Sequence, residues 1–361
     1  MKVAIIHYWL VNMRGGEKVV EAILDLFPDA DIYTHVVDPE AISKKINNRV
    51  VGTTFIQKLP KARKYYQSYL PLMPYALEQL DLRAYDLIIS SESGPAKGVI
   101  TSPDALHICY CHSPMRYVWD MYHDYKENAS WLKRLLMPVL MHRLRLWDLA
   151  SSFRVDYFVA NSSFVQKRIQ KYYHRNSEII YPPVNVEEFN LAEKIADFYL
   201  VVGQLVAYKN TRLAVEAFNQ NGKKLVVIGA GEELNKLKLI AAENVSLLGY
   251  QDFEVIKYHY SHCKALIFPG VEDFGMVPVE AMASGRPVIA LRKGGAIDTV
   301  LENVSGIFFE KPTIDALNEA VQEFEQSLDK FKPEVIREHS LQFDKAKFIK
   351  KINHLVGTQI S

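Results

Sequence analysis

Short apolar runs rich in β-branched residues alternate along this chain with stretches of helical periodicity. The first six runs are VAIIHYWL, DIYTHVV, YDLIISSES, LHICYCHS, DYFVANSS and EIIYPPV. A second series follows: FYLVVGQL, KLVVIGAG, VSLLGY, KALIFPG, RPVIALR and GIFFE. Continuous apolar runs of this kind suit parallel strands buried on both faces. Between the first two, Val19, Val20, Ile23, Leu24 and Phe27 recur at helical spacing. The alternation predicts an α/β fold built from parallel sheets. It pauses near YPPVNVEEFNLAEKIAD, where two prolines and a polar stretch read as a linker around 185–197. We therefore expect two Rossmann-like domains, residues 1–190 and 191–342. The helical stretch FDKAKFIKKINHLV, within 343–361, is not needed to complete the second sheet.

Length and charge narrow the classes. At 361 residues and 49% hydrophobic content, the chain exceeds one ordinary core. A formal net charge of +1 gives no global argument for nucleic acid. No run approaches the roughly 18–20 apolar residues of a membrane span. The apolar N-terminus lacks a small-residue cleavage site and reads as a first strand. Three cysteines, Cys109, Cys111 and Cys263, point to a reducing, cytoplasmic compartment. Cys109 and Cys111 read as strand residues. No metal site is expected; Asp29-Ala-Asp31 mimics a metal motif but lies before the second strand.

In open α/β sheets, ligands bind outside the carboxyl ends of strands, so the strand-end loops hold the candidates. The first strand leads into Arg14-Gly15-Gly16-Glu17. A Gly-Gly turn at a helix entrance offers backbone N–H groups to an anion, although a plain tight turn gives the same sequence. FYLVVGQL leads to Lys209, just before a helix, where a lysine suits a phosphate. His112 leaves its strand just before Ser113-Pro114. The segment Glu272-Asp-Phe-Gly-Met-Val-Pro-Val-Glu280 joins a strand to a helix. A carboxylate accepts from two vicinal hydroxyls at once. Two carboxylates beside an anion-binding helix entrance suit a nucleotide-sugar, with diols flanking a diphosphate. Glu280 is expected in the first turn of its helix, where charge complementarity to the helix end is an alternative reason for a carboxylate. For Glu272 the alternative is a loop carboxylate.

The E-x7-E segment, the Arg14-Gly15-Gly16-Glu17 turn, CHSPMRYVWD (111–120), ANSS (160–163), YPPV (181–184) and the Lys209 loop together resemble family-4 retaining glycosyltransferases. CHSPMRYVWD looks most like the mannosyltransferases of bacterial O-antigen assembly, the WbaZ type. The resemblance covers essentially the whole chain. It implies the GT-B fold: two Rossmann-like domains facing across a cleft, with a C-terminal helix crossing back to the first domain. It implies that Glu280 binds the donor ribose and Glu272 the donor sugar. Gly275, Met276 and Val277, next to Phe274, present backbone N–H groups. Lys209 neutralises the diphosphate, and Gly15 and Gly16 approach it from the first domain. His112 sits by the transferred sugar, and Gly249 and Tyr250 line the base pocket. Many family members carry arginine where this chain has Gln204; Arg14 or Arg116 is a candidate to compensate. Asn161, in ANSS, is a further acceptor or diphosphate candidate.

The implied reaction moves a hexose, with mannose from GDP-mannose favoured, to a glycan hydroxyl, with no required cofactor. A nucleotide-sugar 2-epimerase and a non-catalytic nucleotide-sugar binder share this architecture. A dinucleotide oxidoreductase is disfavoured because no G-x-G-x-x-G opens either sheet. Residues 126–175 hold ten Lys and Arg against three Asp and Glu, a local charge of +7, interleaved with Trp131, Leu132, Leu135, Leu136, Val139 and Trp147. Such a mixture suits an anionic membrane surface; an amphipathic helix packed on its own sheet is the alternative. The resembled enzymes use polyprenyl-diphosphate-linked acceptors. The expected location is therefore cytoplasmic, peripheral at the inner face of the cell membrane.

Overall fold

The computed structural model describes residues 1–127 and 129–360. Its contacts divide the chain into two units, residues 1–182 with 348–361, and residues 183–347.

The first unit is built on a sheet of β1 (Val3–His7), β2 (Asp31–Thr34), β3 (Val50–Thr53), β4 (Leu87–Glu92), β5 (Leu106–Cys111), β6 (Tyr157–Ala160) and β7 (Ser177–Ile179). The spatial order is β3-β2-β1-β4-β5-β6-β7, and every pairing is parallel. Strand β3 has no counterpart among the apolar runs of the sequence. It is an edge strand of Val-Val-Gly-Thr that pairs only with β2 and is incompletely buried. An edge strand with a half-wet surface leaves no continuous apolar run to read.

Successive side chains of a strand point to opposite faces. Val3 and Ile5 enter one core with Val19, Val20, Ile23 and Ile89. Ala4 and Ile6 enter the other, with Leu77, Leu82, Ile88 and Val99. Both faces are covered, as a parallel sheet requires. The helix Gly15–Leu26 covers the first face with the residues its periodicity marks. The last helix, Lys345–Ile360, joins the same core through Phe348, Ile352, Leu355 and Val356. Phe348 meets the Tyr110 ring edge-on at 5.6 Å between centroids.

The second unit repeats the plan with β8 (Tyr199–Val202), β9 (Leu225–Ile228), β10 (Val245–Gly249), β11 (Leu266–Phe268), β12 (Val288–Leu291) and β13 (Gly306–Phe309). The order is β10-β9-β8-β11-β12-β13, again all parallel. Each sheet grows outward from its first strand in one direction and then reverses. The reversals fall between β1 and β4 and between β8 and β11. There the connections leave to opposite sides, and a crevice opens at the carboxyl ends of the strands.

A buried ion cluster locks the end of β4. Lys97 Nζ lies 2.7 Å from Glu92 Oε1 and also contacts Asp148 of the helix Trp131–Ser152. Asp148 Oδ2 accepts from Trp119 Nε1 at 2.7 Å and from the Tyr173 hydroxyl at 2.9 Å. Burial alone would lower the Lys97 pKa, but the two carboxylates outweigh it and hold the ammonium above its ordinary range. Through Trp119 this cluster ties the segment 111–120 to the sheet.

Candidate active site

Every candidate of the second unit but Gly249 and Tyr250 lies on the connections that leave β8 and β11, the strands of its switch point. Lys209 ends a short turn, Ala207–Lys209, after β8. Glu272 lies in the loop after β11. The two strands are neighbours, so two side chains 63 positions apart in sequence meet: Lys209 Nζ is 2.9 Å from Glu272 Oε1. Both are mostly buried, at 17% and 19% exposure, so solvent and salt screen this pair less than an exposed one. Gly203, Gln204, Thr211 and Gly270 line the same small recess.

Glu280 stands in the helix Met276–Ala283 as its fifth residue, a turn beyond the expected position; the first turn carries no acid. Complementarity to the helix end therefore does not explain it. The carboxylate is buried, at 8% exposure, and Oε2 accepts from the Tyr260 hydroxyl at 2.9 Å. Burial and the neighbouring carboxylate keep Tyr260 protonated well above the ordinary phenol range. Tyr260, on the helix Phe253–His262, thus aims Glu280.

The entrance of the helix Met276–Ala283 is made by Gly275 at φ +90, a region L side chains avoid. The first N–H groups of a helix have no partner within it, so Met276 and Val277 keep donors at this entrance. Behind the loop, Gly295 N donates to Glu272 O at 2.9 Å. A Cβ on Gly295 would come within 2.3 Å of the Phe274 backbone. The Lys293-Gly294-Gly295 turn is therefore a built support for Glu272, which sequence reading missed. Its signal was the Gly-Gly pair after the apolar run RPVIALR.

Gln204 is exposed beside Lys209. Gly249 ends β10 at φ +69, and Tyr250 beyond it is 79% exposed.

In the first unit the β1–β4 switch point gathers a chain of polar residues. His7 ends β1 and Ser91 stands near the end of β4. His112 follows β5, and Glu17 is the third residue of the helix Gly15–Leu26. Ser91 Oγ lies 3.0 Å from His7 Nδ1 and 2.8 Å from His112 Nε2. His7 Nε2 is 3.5 Å from Glu17 Oε1. Glu17 Oε2 accepts from the Arg14 backbone N–H at 2.9 Å. His7, Glu17 and Ser91 are fully or almost fully buried. Burial, and then the nearby His7, push the His112 imidazole down to about 3, so it is neutral. Sequence reading selected His112 and gave no role to His7, Glu17 or Ser91. A histidine closing an apolar strand, and a serine pair closing β4, were the available signals.

Gly15 and Gly16 open the first helix beside this chain. Arg14 is exposed at the helix entrance and Arg116 is partly buried. Asn161 is buried at the end of β6, where its Oδ1 accepts from Ser162 Oγ at 3.3 Å. The segment 111–120 is held by Arg168, which contacts Ser113 and Asp120. Among the described residues no cluster of three His, Cys, Asp or Glu is arranged to hold a metal ion. Among them, too, no helix is long and apolar enough to cross a membrane.

Comparison with known proteins bears on this geometry. Residues 13–188 match the model described as Glycosyltransferase Family 4, and residues 185–337 match Glycosyl transferases group 1. The chain is 27% identical over 251 residues to the alpha-1,3/1,6-mannosyltransferase ALG2 of Candida glabrata, covering 53% of this chain and 52% of that one. It is 28% identical over 148 residues to the O-antigen chain mannosyltransferase RfbU of Salmonella typhimurium, covering 38% and 42%. The chain thus spans about half the length of the curated relatives it matches. The crystal structure of Anabaena HepE in complex with UDP superposes with a TM-score of 0.72 at 16% identity, over 99% of this chain and 100% of that one. That likeness concerns the fold, which is GT-B. The two matched models, both of glycosyltransferases, run in succession over residues 13–337, so each half of this chain is similar to a glycosyltransferase family.

Proposed function

We propose that the protein is a retaining hexosyltransferase that moves mannose from GDP-mannose to a hydroxyl of a polyprenyl-diphosphate-linked glycan. The observation that carries this reading is the Lys209–Glu272 pair at the β8–β11 switch point, with the buried Glu280 on the helix that follows the same loop. The mannosyltransferase names of two relatives favour mannose. In this reading the second unit takes the donor and the first unit takes the acceptor.

Glu280, aimed by Tyr260, accepts from the ribose hydroxyls. The diphosphate draws Lys209 Nζ away from Glu272 and onto phosphate oxygens. That exchange frees Glu272 to accept from sugar hydroxyls, so donor arrival and sugar recognition are linked. Backbone N–H groups of Gly275, Met276 and Val277 add to the anion site. Gly15 and Gly16 approach the diphosphate, Gly249 and Tyr250 border the base, and His112 meets the sugar. Retention normally needs a carboxylate beneath the anomeric carbon. With Glu272 on hydroxyls, we assign attack on the face the leaving group vacates. The anomeric C–O bond to phosphate breaks, the acceptor oxygen bonds to the same carbon, and its proton passes to a phosphate oxygen. Lys209 stabilises the charge that builds on the leaving group. Arg14, Arg116 and Asn161 are candidates for the acceptor or its diphosphate. No obligatory metal enters these steps.

The test is turnover of GDP, UDP and ADP sugars with and without a polyprenyl-diphosphate glycan, in EDTA. Acceptor-dependent GDP release and an α-linked product from an α-linked donor are expected. Turnover without acceptor, activity lost on chelation and restored by Mn²⁺ or Mg²⁺, or a β-linked product would each overturn the reading.

A further inference from the structure

The polar chain at the β1–β4 switch point has a direction. Ser91 Oγ sits between two imidazole nitrogens, at 3.0 Å from His7 and 2.8 Å from His112. A hydroxyl has one proton, so it donates to only one of them and accepts from the other. Which way it turns is set at the far end. Glu17 faces His7 Nε2 at 3.5 Å, and a carboxylate only accepts. That nitrogen makes no hydrogen bond among the described residues and Glu17 is the acceptor facing it, so when His7 carries a single proton, the proton lies on Nε2 and leaves Nδ1 bare. Ser91 must donate to that bare Nδ1. Its oxygen is left to accept, and the remaining neighbour, His112 Nε2, must supply the proton.

We propose that Glu17 is a positioning residue that fixes the tautomer of His112 through His7 and Ser91. His112 is held with its proton on Nε2 and with Nδ1 as a hydrogen-bond acceptor. The relay is shut off from bulk solvent: His7 and Ser91 are 0% exposed and Glu17 is 2% exposed. It is also clamped by the helix above it. Glu17 Oε2 is held by the Arg14 N–H at 2.9 Å, which leaves Oε1 for His7. A Cβ on Gly16 would come within 2.7 Å of the Tyr8 hydroxyl and 3.6 Å of His112 Nε2, so the helix entrance is seated directly on the chain.

The consequence for chemistry rests on the proposed contact of His112 with the transferred sugar. A sugar hydroxyl that donates to a bare nitrogen keeps electron density on its own oxygen. The same hydroxyl accepting from an N–H loses it. An oxocarbenium-like transition state is helped by the first arrangement and opposed by the second. The tautomer therefore acts on the chemical step more than on ground-state binding.

Glu17→Gln tests the direction with almost no change in shape. The amide oxygen must take the Arg14 N–H, which turns the NH2 group toward His7 Nε2. His7 then has to accept there and carry its proton on Nδ1. Ser91 in turn donates to His112 Nε2, and the His112 proton moves to Nδ1. Ring-nitrogen NMR of the 15N-labelled full chain, with the His112 signals assigned through His112→Gln, reads this without any activity. The expected result is Nε2–H in the unmodified chain and Nδ1–H in Glu17→Gln. Ser91→Ala cuts the relay without touching the helix entrance, so Glu17→Gln added to Ser91→Ala should leave the His112 signals where Ser91→Ala puts them. A His112 that keeps its tautomer in Glu17→Gln, or that still responds to it without Ser91, overturns the proposal. In the turnover assay Glu17→Gln should lower kcat about 10–100-fold, by analogy with losing the outer partner of a metal-ligating histidine, with KM nearly unchanged. A tautomer that moves while kcat does not would leave the relay standing and remove the sugar contact of His112.

Discussion

Glu280 and Lys209 have separable duties, and their truncations should differ in kind. Glu280 is buried with Tyr260 as a fixed donor, which orients its carboxylate for the proposed ribose contact. Hydrogen bonds to a charged group contribute about 1.5–3 kcal/mol each. Glu280→Ala should therefore weaken donor binding by roughly a hundredfold or more, read by calorimetric titration with GDP-mannose. Normal affinity in a folded variant would exclude the ribose role. Lys209→Ala should instead lower turnover by about 10²–10³-fold, the scale of one oxyanion-stabilising group. Its effect on affinity should be smaller, for two reasons. Charge on the leaving phosphate grows toward the transition state, and binding the diphosphate costs the Lys209–Glu272 contact at 2.9 Å. Equal losses in Kd and kcat would make Lys209 a ground-state clamp only.

The elements that carry these residues are parallel strands ending at two reversals of order, and what stiffens those ends is polar. At β4 the stiffener is Glu92 with Lys97 and Asp148, all 0% exposed. Replacing the lysine strands two buried carboxylates on each other. Removing one partner from a buried pair destabilises by about 3–5 kcal/mol. Lys97→Ala should lose that much in urea unfolding, whereas an exposed lysine such as Lys133 should change stability by less than about 0.5 kcal/mol. A Lys97→Ala midpoint at the wild-type value would mean that the cluster stores no net stability. The loss should extend to the segment 111–120, because Trp119 hangs from Asp148 at 2.7 Å.

At the scale of the whole molecule, acid response and surface charge distinguish the first unit. His35 and His107 are buried there and pushed down to about 4 by burial, and His112 to about 3. A histidine whose folded pKa is depressed favours the folded state fully above its unfolded value of about 6.5. That contribution is lost as pH falls from about 6.5 toward 4, because the unfolded chain takes up the proton first. Urea midpoints should fall across this window, and His107→Gln should flatten the slope. A midpoint independent of pH from 7 to 4 would contradict the burial of these rings. On the outside, Trp131, Leu132, Leu135, Leu136 and Val139 of one helix are 50–78% exposed. The +7 of the sequence is partly paired, Arg154 with Glu78 and Arg168 with Asp120, and Arg145 is turned to donate to Val118 O. Lys133 and Arg143 remain exposed on that helix. We expect salt-sensitive flotation with anionic vesicles, weakened in Lys133→Glu/Arg143→Glu. Absence of binding at low salt would favour a soluble acceptor.

The sequence by itself determined the class of fold, because a parallel strand buried on both faces must be written as an uninterrupted apolar run. It also marked residues that act through their backbone or at a turn: Gly275 at φ +90 and the Lys209 loop stand where the strand-end rule put them. It missed β3, whose wet edge needs no such run, and it put Glu280 a turn too early in its helix. Only the tertiary structure decided partnerships. Lys209 meets Glu272 because β8 and β11 are neighbours, and His7, Ser91 and His112 meet because β1, β4 and β5 are consecutive in the sheet. Each of these pairs needs strands that are distant in sequence, and a one-residue pattern carries no information about which distant strand lies alongside. The buried Lys97 shows the same limit: as a letter it reads as a solvated charge, and only the two carboxylates brought to it make its burial possible.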